Sequence, residues 1–466
     1  MRIEMPNKVR MIIQTLTDHG HEAYAVGGCV RDSILGRIPG DWDITTSAKP
    51  EEVKRLFRRT IDTGIEHGTV TIMLDKEGFE VTTYRIDGEY EDNRHPKNVA
   101  FTSDLVEDLK RRDFTINAMA YNEQEGIVDE FHGLEDMEAK VIRCVGNARE
   151  RFDEDALRIL RAIRFSAQLD FTIEEQTKQA ITEKAETLHN ISAERIRVEL
   201  EKLLCSSHPR KMIDAYQLGI TKIILPVFDQ MMETTQNSPY HYLGVGEHCI
   251  AAVEAMHSLF SQVPYVDDAK EQETFCLDHK LQMILCFTML LHDCGKPLVK
   301  QTDEQGRDHF YGHGEVSAKT AKTILRDLKF DNYTIDTVTS LIRYHDHPLS
   351  IEEKALRKCI NTIGVDLMDL LFLVKKADAI AHAENACKER LQLTNNIETV
   401  YKKIRAAKQC LRMKDLAISG KDLIEIGFSQ GKTLGDALQQ ILQHVLEEPE
   451  ENNRESLIEY AKKLSF

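Results

Sequence analysis

At 466 residues the chain is too long for one hydrophobic core, and two to four domains are expected. With 42% apolar and 29% charged residues it has the balance of a folded water-facing protein, and it contains no apolar run of the ~18 residues a membrane helix needs. A net charge of −17 excludes indiscriminate coating of nucleic acid, so a polyanionic partner must meet local basic clusters, of which 110–112, 158–164 and 402–414 are the clearest.

The N-terminal MRIEMPNKVRMIIQTL reads as an amphipathic helix of the fold and lacks a signal-peptide core. AYAVGGCVRDSILGRIPGDWDITT (23–46) follows. It reads as a short strand over 24–26, a Gly27-Gly28 turn, a turn of helix opened by Arg31-Asp32, and a second strand over 41–45. On that strand Asp41 and Asp43 project from one face, roughly 6–7 Å apart along the backbone. Two such carboxylates repel unless a divalent cation sits between them, and hard Mg²⁺ suits them and brings phosphates. A glycine turn at Gly28 lets backbone N–H groups approach a phosphate, and Arg31 adds a charged donor. Each motif alone is commonplace. In this order they point to nucleotidyl transfer with Asp41 and Asp43 as the catalytic metal ligands.

Strands are predicted at 69–74 and 79–85, joined by a turn at Lys76-Glu77-Gly78. Glu80 on the second is either a third metal carboxylate or a half-exposed strand residue. The polar stretch 85–104, broken by Gly88 and Pro96, is a surface loop whose position suggests a flap beside the site. In KRRDFTINAMAY (110–121), Arg112 stands where a triphosphate donor is needed. Asn117 there can reach a ribose hydroxyl or serve an internal, capping role.

RFDEDALRILRAIRF (151–165) places Asp155, Arg158 and Arg161 at i, i+3 and i+6 on one helix ridge, which Arg164 continues, with Ala156, Leu160 and Ile163 toward a core. A salt-bridged surface helix would look similar. As a base-reading pair, the Asp155 carboxylate accepts from an exocyclic amino group while Arg158 donates to a ring nitrogen. Cytosine and adenine share that pattern; uracil and guanine reverse it, at a cost of ~1–3 kcal/mol per unpaired buried group. The helix at 191–204 carries a serine at its N-cap position and shows only packing.

From residue 240 to 380 metal-ligand residues accumulate in the order His248, His292-Asp293, His313, His345, His347 and Asp378. Imidazoles with a shared carboxylate favour Mn, Ni, Fe or Zn over Mg²⁺ alone, and Lys296 can neutralise a phosphate there. Ten cysteines without paired spacing suggest reduced thiols in a cytoplasmic protein. In the C-terminal ISGKDLIEIGFSQGKTLGDALQQ, Gly420, Gly427, Gly431 and Gly435 suit either helix caps or close approach of a partner.

Residues 24–46, KRRDFTINAMAY and the E-D-x-x-R run at Glu154-Asp155-Arg158 together resemble class II of the polymerase-β-like nucleotidyltransferases, the CCA tRNA nucleotidyltransferases and bacterial poly(A) polymerases. Trp42 departs from the smaller aliphatic residue usual there. The histidine series resembles the HD metal-dependent phosphohydrolases, which implies His248, His292, Asp293 and Asp378 as the ligand core. The resemblance implies an α+β fold: a nucleotidyltransferase head with a small mixed sheet and helices (1–150), then an all-α neck contacting RNA and nucleotide (151–235), an HD domain (236–390) and a helical tRNA-binding region (391–466). It implies Mg²⁺ at the head, a transition metal at the HD site, tRNA, CTP and ATP as partners, and no membrane. Nucleotide contacts fall to Gly28, Arg31, Arg112, Asp155, Arg158, Arg161 and Arg164. In that family a flexible loop occupies 85–104 and is shortened in members that add only cytidines. An A-adding relative or a poly(A) polymerase fits nearly as well, and an HD phosphohydrolase with an inactive RNA-binding head is the reading of another class.

Overall fold

Ala23–Val26, buried at every position, forms the strand (β1) on which the N-terminal sheet is built. In the computed structural model, which describes residues 2–88, 99–264 and 276–464, eight more strands follow in the N-terminal part. They are β2 (Ile44–Thr46), β3 (Thr60–Gly64), β4 (Thr69–Leu74), β5 (Glu77–Thr83), β6 (Arg85–Asp87), β7 (Val99–Phe101), β8 (Ala120–Asn122) and β9 (Gly126–Val128). Seven of them make one sheet in the order β3-β4-β5-β2-β1-β8-β9, with β2 and β5 parallel and the other pairs antiparallel. The N-terminal helix, Asn7–Asp18, buries Val9, Ile12, Ile13 and Leu16, the i, i+3, i+4, i+7 stripe of an amphipathic helix, and packs on β1.

Three local expectations need correction. The strand predicted at 41–45 begins only at Ile44, so Asp41 and Asp43 lie on the segment entering β2, where Val26 N–H still donates to the Asp43 carbonyl at 3.0 Å. The β4–β5 hairpin turns at Asp75-Lys76, both at positive φ (48° and 73°), one step before the expected turn, because Leu74 pairs with Glu77. The predicted loop at 85–104 starts and ends in a two-stranded ribbon, Arg85 opposite Phe101; its residues 89–98 lie outside the described residues.

The helix expected over 151–165 is two helices, Ala148–Glu154 and Leu157–Leu169. They part at Asp155, which is extended (φ −142°, ψ 104°) and accepts from Leu157 N–H through Oδ1 at 3.0 Å. A short carboxylate competes with the helix for its backbone donors, and here it wins. The Leu157–Leu169 helix then packs along Ala193–Leu204, where Ser192 holds the N-cap position without a side-chain capping bond.

Two compact units divide the chain, Met1–Pro226 and Val227–Phe466. The second is helical apart from a two-stranded ribbon, Gln301–Thr302 with Asp308–His309. Its central helix, His279–Leu291, is buried at every position from Met283 on and packs against Val245–Phe260, Asn332–Tyr344 and Val365–Ile380. The C-terminal helices belong to the same unit. Buried Arg357 donates to the Leu446 and Glu447 carbonyls at 2.7 and 3.3 Å, satisfying the open end of the Lys432–Glu447 helix. The fold is α+β, a sheet-bearing first unit followed by helices. Among the described residues no helix is long and apolar enough to cross a membrane.

Candidate functional site

The first unit builds its site around the turn after β1. Gly27 sits at φ +81°, and a Cβ there would meet Arg112 Nη1 at 3.0 Å, so both conformation and space call for glycine. Gly28 opens the Gly28–Ile34 helix, which carries Arg31. Arg112 is largely buried; Asp108 Oδ2 lies 3.6 Å from Nη2, while Nε is buried without a hydrogen-bond partner. Burial lowers its pKa, against the attraction of Asp108 and Asp43.

Asp43 keeps solvent access, yet its carboxyl is pushed up, by desolvation first and then by the charges of Asp41 and Glu80, with Arg112 opposing. β2 and β5 pair Ile44 with Val81, which brings Glu80 across from the end of the Asp41–Asp43 segment. A carboxyl pushed up by two neighbouring acids marks a donor set suited to a hard divalent cation.

Arg31 is buried and engaged. It donates to both oxygens of Asp32 at 2.9 and 3.0 Å and to Asn117 Oδ1 at 2.6 Å. Asn117 passes the chain on to Asp113 Oδ1 at 3.1 Å, and Arg161 donates to Asp113 Oδ2 at 2.7 Å. Burial works against ionised Asp113, but Arg161, Asn117 and Arg158 outweigh it and hold the carboxyl well below its usual range. Arg31, Arg161 and Arg164 crowd the Phe165 ring at 4.9, 5.2 and 4.0 Å from its centroid. Arg164, paired with buried Glu199 at 3.2 Å, is pushed down to about 10 by burial and by Arg161.

Asp155 and Arg158 do not share one helix ridge. Asp155 Oδ2 pairs with Arg195 Nη2 at 2.8 Å, and Arg158 holds Glu154 at 2.6 Å and the Arg111 and Arg151 carbonyls at 2.9 and 3.2 Å. Each largely buried charge takes a protein partner.

The second unit draws His248, His292, Asp293 and Asp378 together. His248 Nε2 lies 3.1 Å from Asp378 Oδ1 and 3.7 Å from Asp293 Oδ2; His292 Nε2 lies 3.5 and 3.3 Å from the same two atoms. Asp293 Oδ1 faces His313 and His345, whose Nε2 atoms stand 3.3 and 3.7 Å away. The two oxygens of Asp293 therefore serve two sets of imidazoles. The Nδ1 atoms of His292, His313, His345 and His248 lie 2.8, 2.9, 2.6 and 3.2 Å from the carbonyls of Met289, Phe310, Ile342 and Ala381. A proton held on each Nδ1 leaves the Nε2 lone pairs facing inward.

His292 Nε2 and Asp293 Oδ1 are buried with no hydrogen-bond partner, the deficit a metal ion removes. Burial opposes both ionised acids, yet they stay well below their usual range: Asp293 through His292 and Lys296, Asp378 through hydrogen bonds with His248 and His292. Burial, with His292, pushes His345 down to about 4. Lys296, expected to meet a phosphate, already pairs with Asp293 Oδ2 at 2.7 Å and donates to Gln236 at 2.6 Å. A cavity of about 440 Å³ opens over this cluster, lined by Asp293, His313, His345 and Asp378 with Lys296, Arg307 and Arg390.

Residues 23–143 match the family described as poly A polymerase head domain, over the stretch that holds Asp41, Asp43, Glu80 and Arg112. Behind the head, residues 170–232 match an RNA- and SrmB-binding site of polymerase A, and 301–461 match tRNA nucleotidyltransferase domain 2. The chain is similar to the CCA-adding enzyme of Lactiplantibacillus plantarum, 58% identical over 198 residues, which are 42% of this chain and 49% of that protein. The chain thus spans about half the length of the curated relatives it matches. The crystal structure of the Bacillus stearothermophilus CCA-adding enzyme with CTP superposes with a TM-score of 0.69 at 28% identity, over 99% of this chain and 98% of that one. The Thermotoga maritima CCA-adding enzyme complexed with its tRNA shares the fold, with a TM-score of 0.59 at 21% identity over 99% of each chain.

Sequence reasoning passed over several residues. In the head this is Asp113, beside Arg112 in the visible R-R-D run. In the second unit, His313 and His345 were seen but left out of the ligand core. His382, four residues after Asp378 on one helical turn, has its Nδ1 3.7 Å from Asp378 Oδ1.

Proposed function

We propose that the chain adds CCA to the 3′ end of tRNA from CTP and ATP without a template, and that its second unit is a metal-dependent phosphohydrolase. The observation that carries the first half is the head cluster, in which Asp41 and Glu80 stand near enough to Asp43 to raise its proton affinity, beside Arg112 packed on Gly27. Asp41 and Asp43 would hold Mg²⁺, with Glu80 as a third carboxylate. Bound there, the ion supplies charge neutralisation for the triphosphate and lowers the pKa of the attacking 3′-hydroxyl. Arg112, with its unpartnered Nε, donates to the triphosphate, and the turn at Gly28 leaves room for it. The Asp113–Asn117–Arg31 chain and Arg161 and Arg164 on Phe165 form the rigid floor of the nucleotide site.

Asp155 and Arg158 select the base by exchanging Arg195 and Glu154 for its edge. Cytosine and adenine both return the donor and acceptor that are given up; uracil and guanine do not. In this reading residues 1–150 are the head, 151–235 the neck, 236–390 the HD domain and 391–466 the part that carries tRNA, all in the cytoplasm. The CTP- and tRNA-bound enzymes of like fold support that assignment. A relative adding only A, or a poly(A) polymerase, is separated by one assay. Purified protein is incubated with tRNA ending before CCA, with CTP and ATP singly and together. CCA ends with both nucleotides are expected; A additions alone, or long A tails, would replace this reading.

Phosphohydrolase chemistry rests on the second cluster. Its imidazole and carboxylate ligands fit Mn, Ni, Fe or Zn. His248, His292, Asp293 and Asp378 would hold one ion, and His313 and His345 can hold a second that shares Asp293. Such a metal supplies an acidified water and a grip on a phosphate oxygen. Arg307 and Arg390 line the cavity as further cations for substrate, Arg390 with its Nη1 3.5 Å from Asp378 Oδ2, while Lys296 is committed to Asp293. An inactive head on a phosphohydrolase is disfavoured by the intact Asp41 and Asp43. Release of phosphate from 2′,3′-cyclic nucleotides under a series of metals tests this half.

A further inference from the structure

We propose that Asp308 is a positioning residue of the second unit's site, clasping the ribbon at 301–309 to the strap at 235–241 and so setting where Arg307 meets a substrate anion. The inference rests on the phosphohydrolase reading of that site and adds the part that holds a substrate cation in place. Both segments line the 440 Å³ cavity, the strap through Tyr240 and His241 and the ribbon through Arg307 and His309. Neither segment holds itself. The ribbon pairs only Gln301 with His309 and Thr302 with Asp308, and the strap, between Glu233 and Val245, contains no helix or strand. A two-stranded ribbon of that length is marginal in water without something to pack on.

Asp308 joins the two. Its side chain is only 4% exposed, and each of its oxygens is taken. Oδ2 accepts from Asn237 N–H at 2.8 Å and lies 2.9 Å from Lys300 Nζ, while Oδ1 accepts from the Thr302 hydroxyl at 2.7 Å. Asp308 N–H donates back to the Asn237 carbonyl at 3.0 Å, and Lys300 donates to the Thr235 carbonyl and hydroxyl at 2.9 and 2.7 Å. Hydrogen bonds to an ionised acceptor are the strong ones, and here they converge on one buried carboxylate. Gln236 accepts from Lys296, the partner of Asp293, at 2.6 Å, so the strap is registered against the metal cluster and the ribbon against the strap. The tip of the ribbon is rigid by itself. Asp303 Oδ1 accepts from Gln305 and Arg307 N–H, each at 2.9 Å, its Oδ2 lies 2.9 Å from His309 Nε2, and Gly306 takes the turn at φ +76°. One anchor therefore sets the whole tip. Arg307 is exposed, so the place of its guanidinium follows from where that tip is held.

Hydrolysis of bis(p-nitrophenyl) phosphate by the Mn²⁺-loaded full-length protein tests this. Asp308→Ala should raise KM about tenfold, with kcat and bound metal within about twofold of the parent. Arg307→Ala should raise KM as much, and Asp308→Ala should add nothing in that background, because the clasp acts through the arginine. Asp308→Asn, which can keep the Asn237 and Thr302 bonds, should recover most of the KM. An unchanged KM in Asp308→Ala or Arg307→Ala, full additivity in the double variant, or no recovery in Asp308→Asn would each overturn it. Amide hydrogen exchange reads the clasp without any turnover. Asp308→Ala should speed exchange over 235–237 and 302–308 about tenfold, and unchanged exchange there would overturn the clasp. A parent that hydrolyses nothing, with that faster exchange in the variant, would defeat the phosphohydrolase reading and leave the clasp standing.

Discussion

Asp43 and Asp293 are the two acids proposed to hold metal in each unit, and their surroundings push them in opposite directions. Around Asp43 stand two further carboxylates, and burial and like charge raise its pKa while Arg112 opposes them. Asp293 is more deeply buried, yet His292, Lys296 and His313 surround it and keep it ionised. On the proposed function the difference predicts when each metal arrives. A cluster balanced by its own imidazoles and lysine would hold its metal before substrate comes, whereas the head's acids would gain their compensation with a cation that a nucleoside triphosphate brings along.

The largest effect that would break this comparison is expected at the head. Asp41→Ala or Asp43→Ala should lower nucleotide addition at least about a thousandfold, since metal stabilisation is worth several kcal/mol and each ~1.4 kcal/mol is tenfold. Melting temperature and phosphoester hydrolysis should not change. Addition at near the parent rate would remove these residues from the mechanism. In the second unit, Asp293→Ala should end hydrolysis and spare addition. It also leaves Lys296 buried without its partner, so the metal-free variant should lose about 3–5 kcal/mol in chemical denaturation.

Asp113 gives the head a contrasting site that is balanced, and Asp113→Asn should cost a similar ~3–5 kcal/mol by stranding Arg161. Its carboxyl is held below the usual value, so its contribution is full above the unfolded pKa of about 3.9 and is lost as pH falls through the folded value. Stability curves of parent and variant should therefore converge on acidification below about pH 4; a constant gap would mean the carboxylate charge is not what matters. Arg158→Ala should raise UMP and GMP incorporation relative to CMP by about tenfold, the range of one unpaired buried group. A uniform fall in all rates would make Arg158 a structural residue.

Deletion of residues 90–96 should leave both CMP additions and halt the last step, because the pocket must readjust for a purine. A gel showing tRNA stalled at the CC stage checks it. Equal loss of both steps would make the loop structural, and normal completion would make it a bystander.

Much of this was legible in the sequence because the motifs are short and local. Asp41, Asp43, Gly28 and Arg112 lie within one strand–turn–helix and one R-R-D run, and the histidine series announces itself by order. What sequence could not give was pairing at a distance. The helix drawn through Asp155 ignored that an aspartate can cap the next helix, and periodicity has no means of knowing that Arg195 waits opposite. Arg31 read as a phosphate donor because its partner Asn117 lies 86 residues away. Likewise the division of Asp293 between two sets of histidines depends on His313, His248 and His345, which lie 20, 45 and 52 residues from it in sequence on helices whose packing a linear pattern does not contain.

The contrast between the two acid clusters is tested most directly by metal analysis of dialysed protein, with no nucleotide present. The parent should retain transition metal through dialysis, Asp43→Ala should retain the same amount, and His292→Ala should lose it. A parent that holds no metal, or a content that falls with Asp43 and not with His292, would contradict the account.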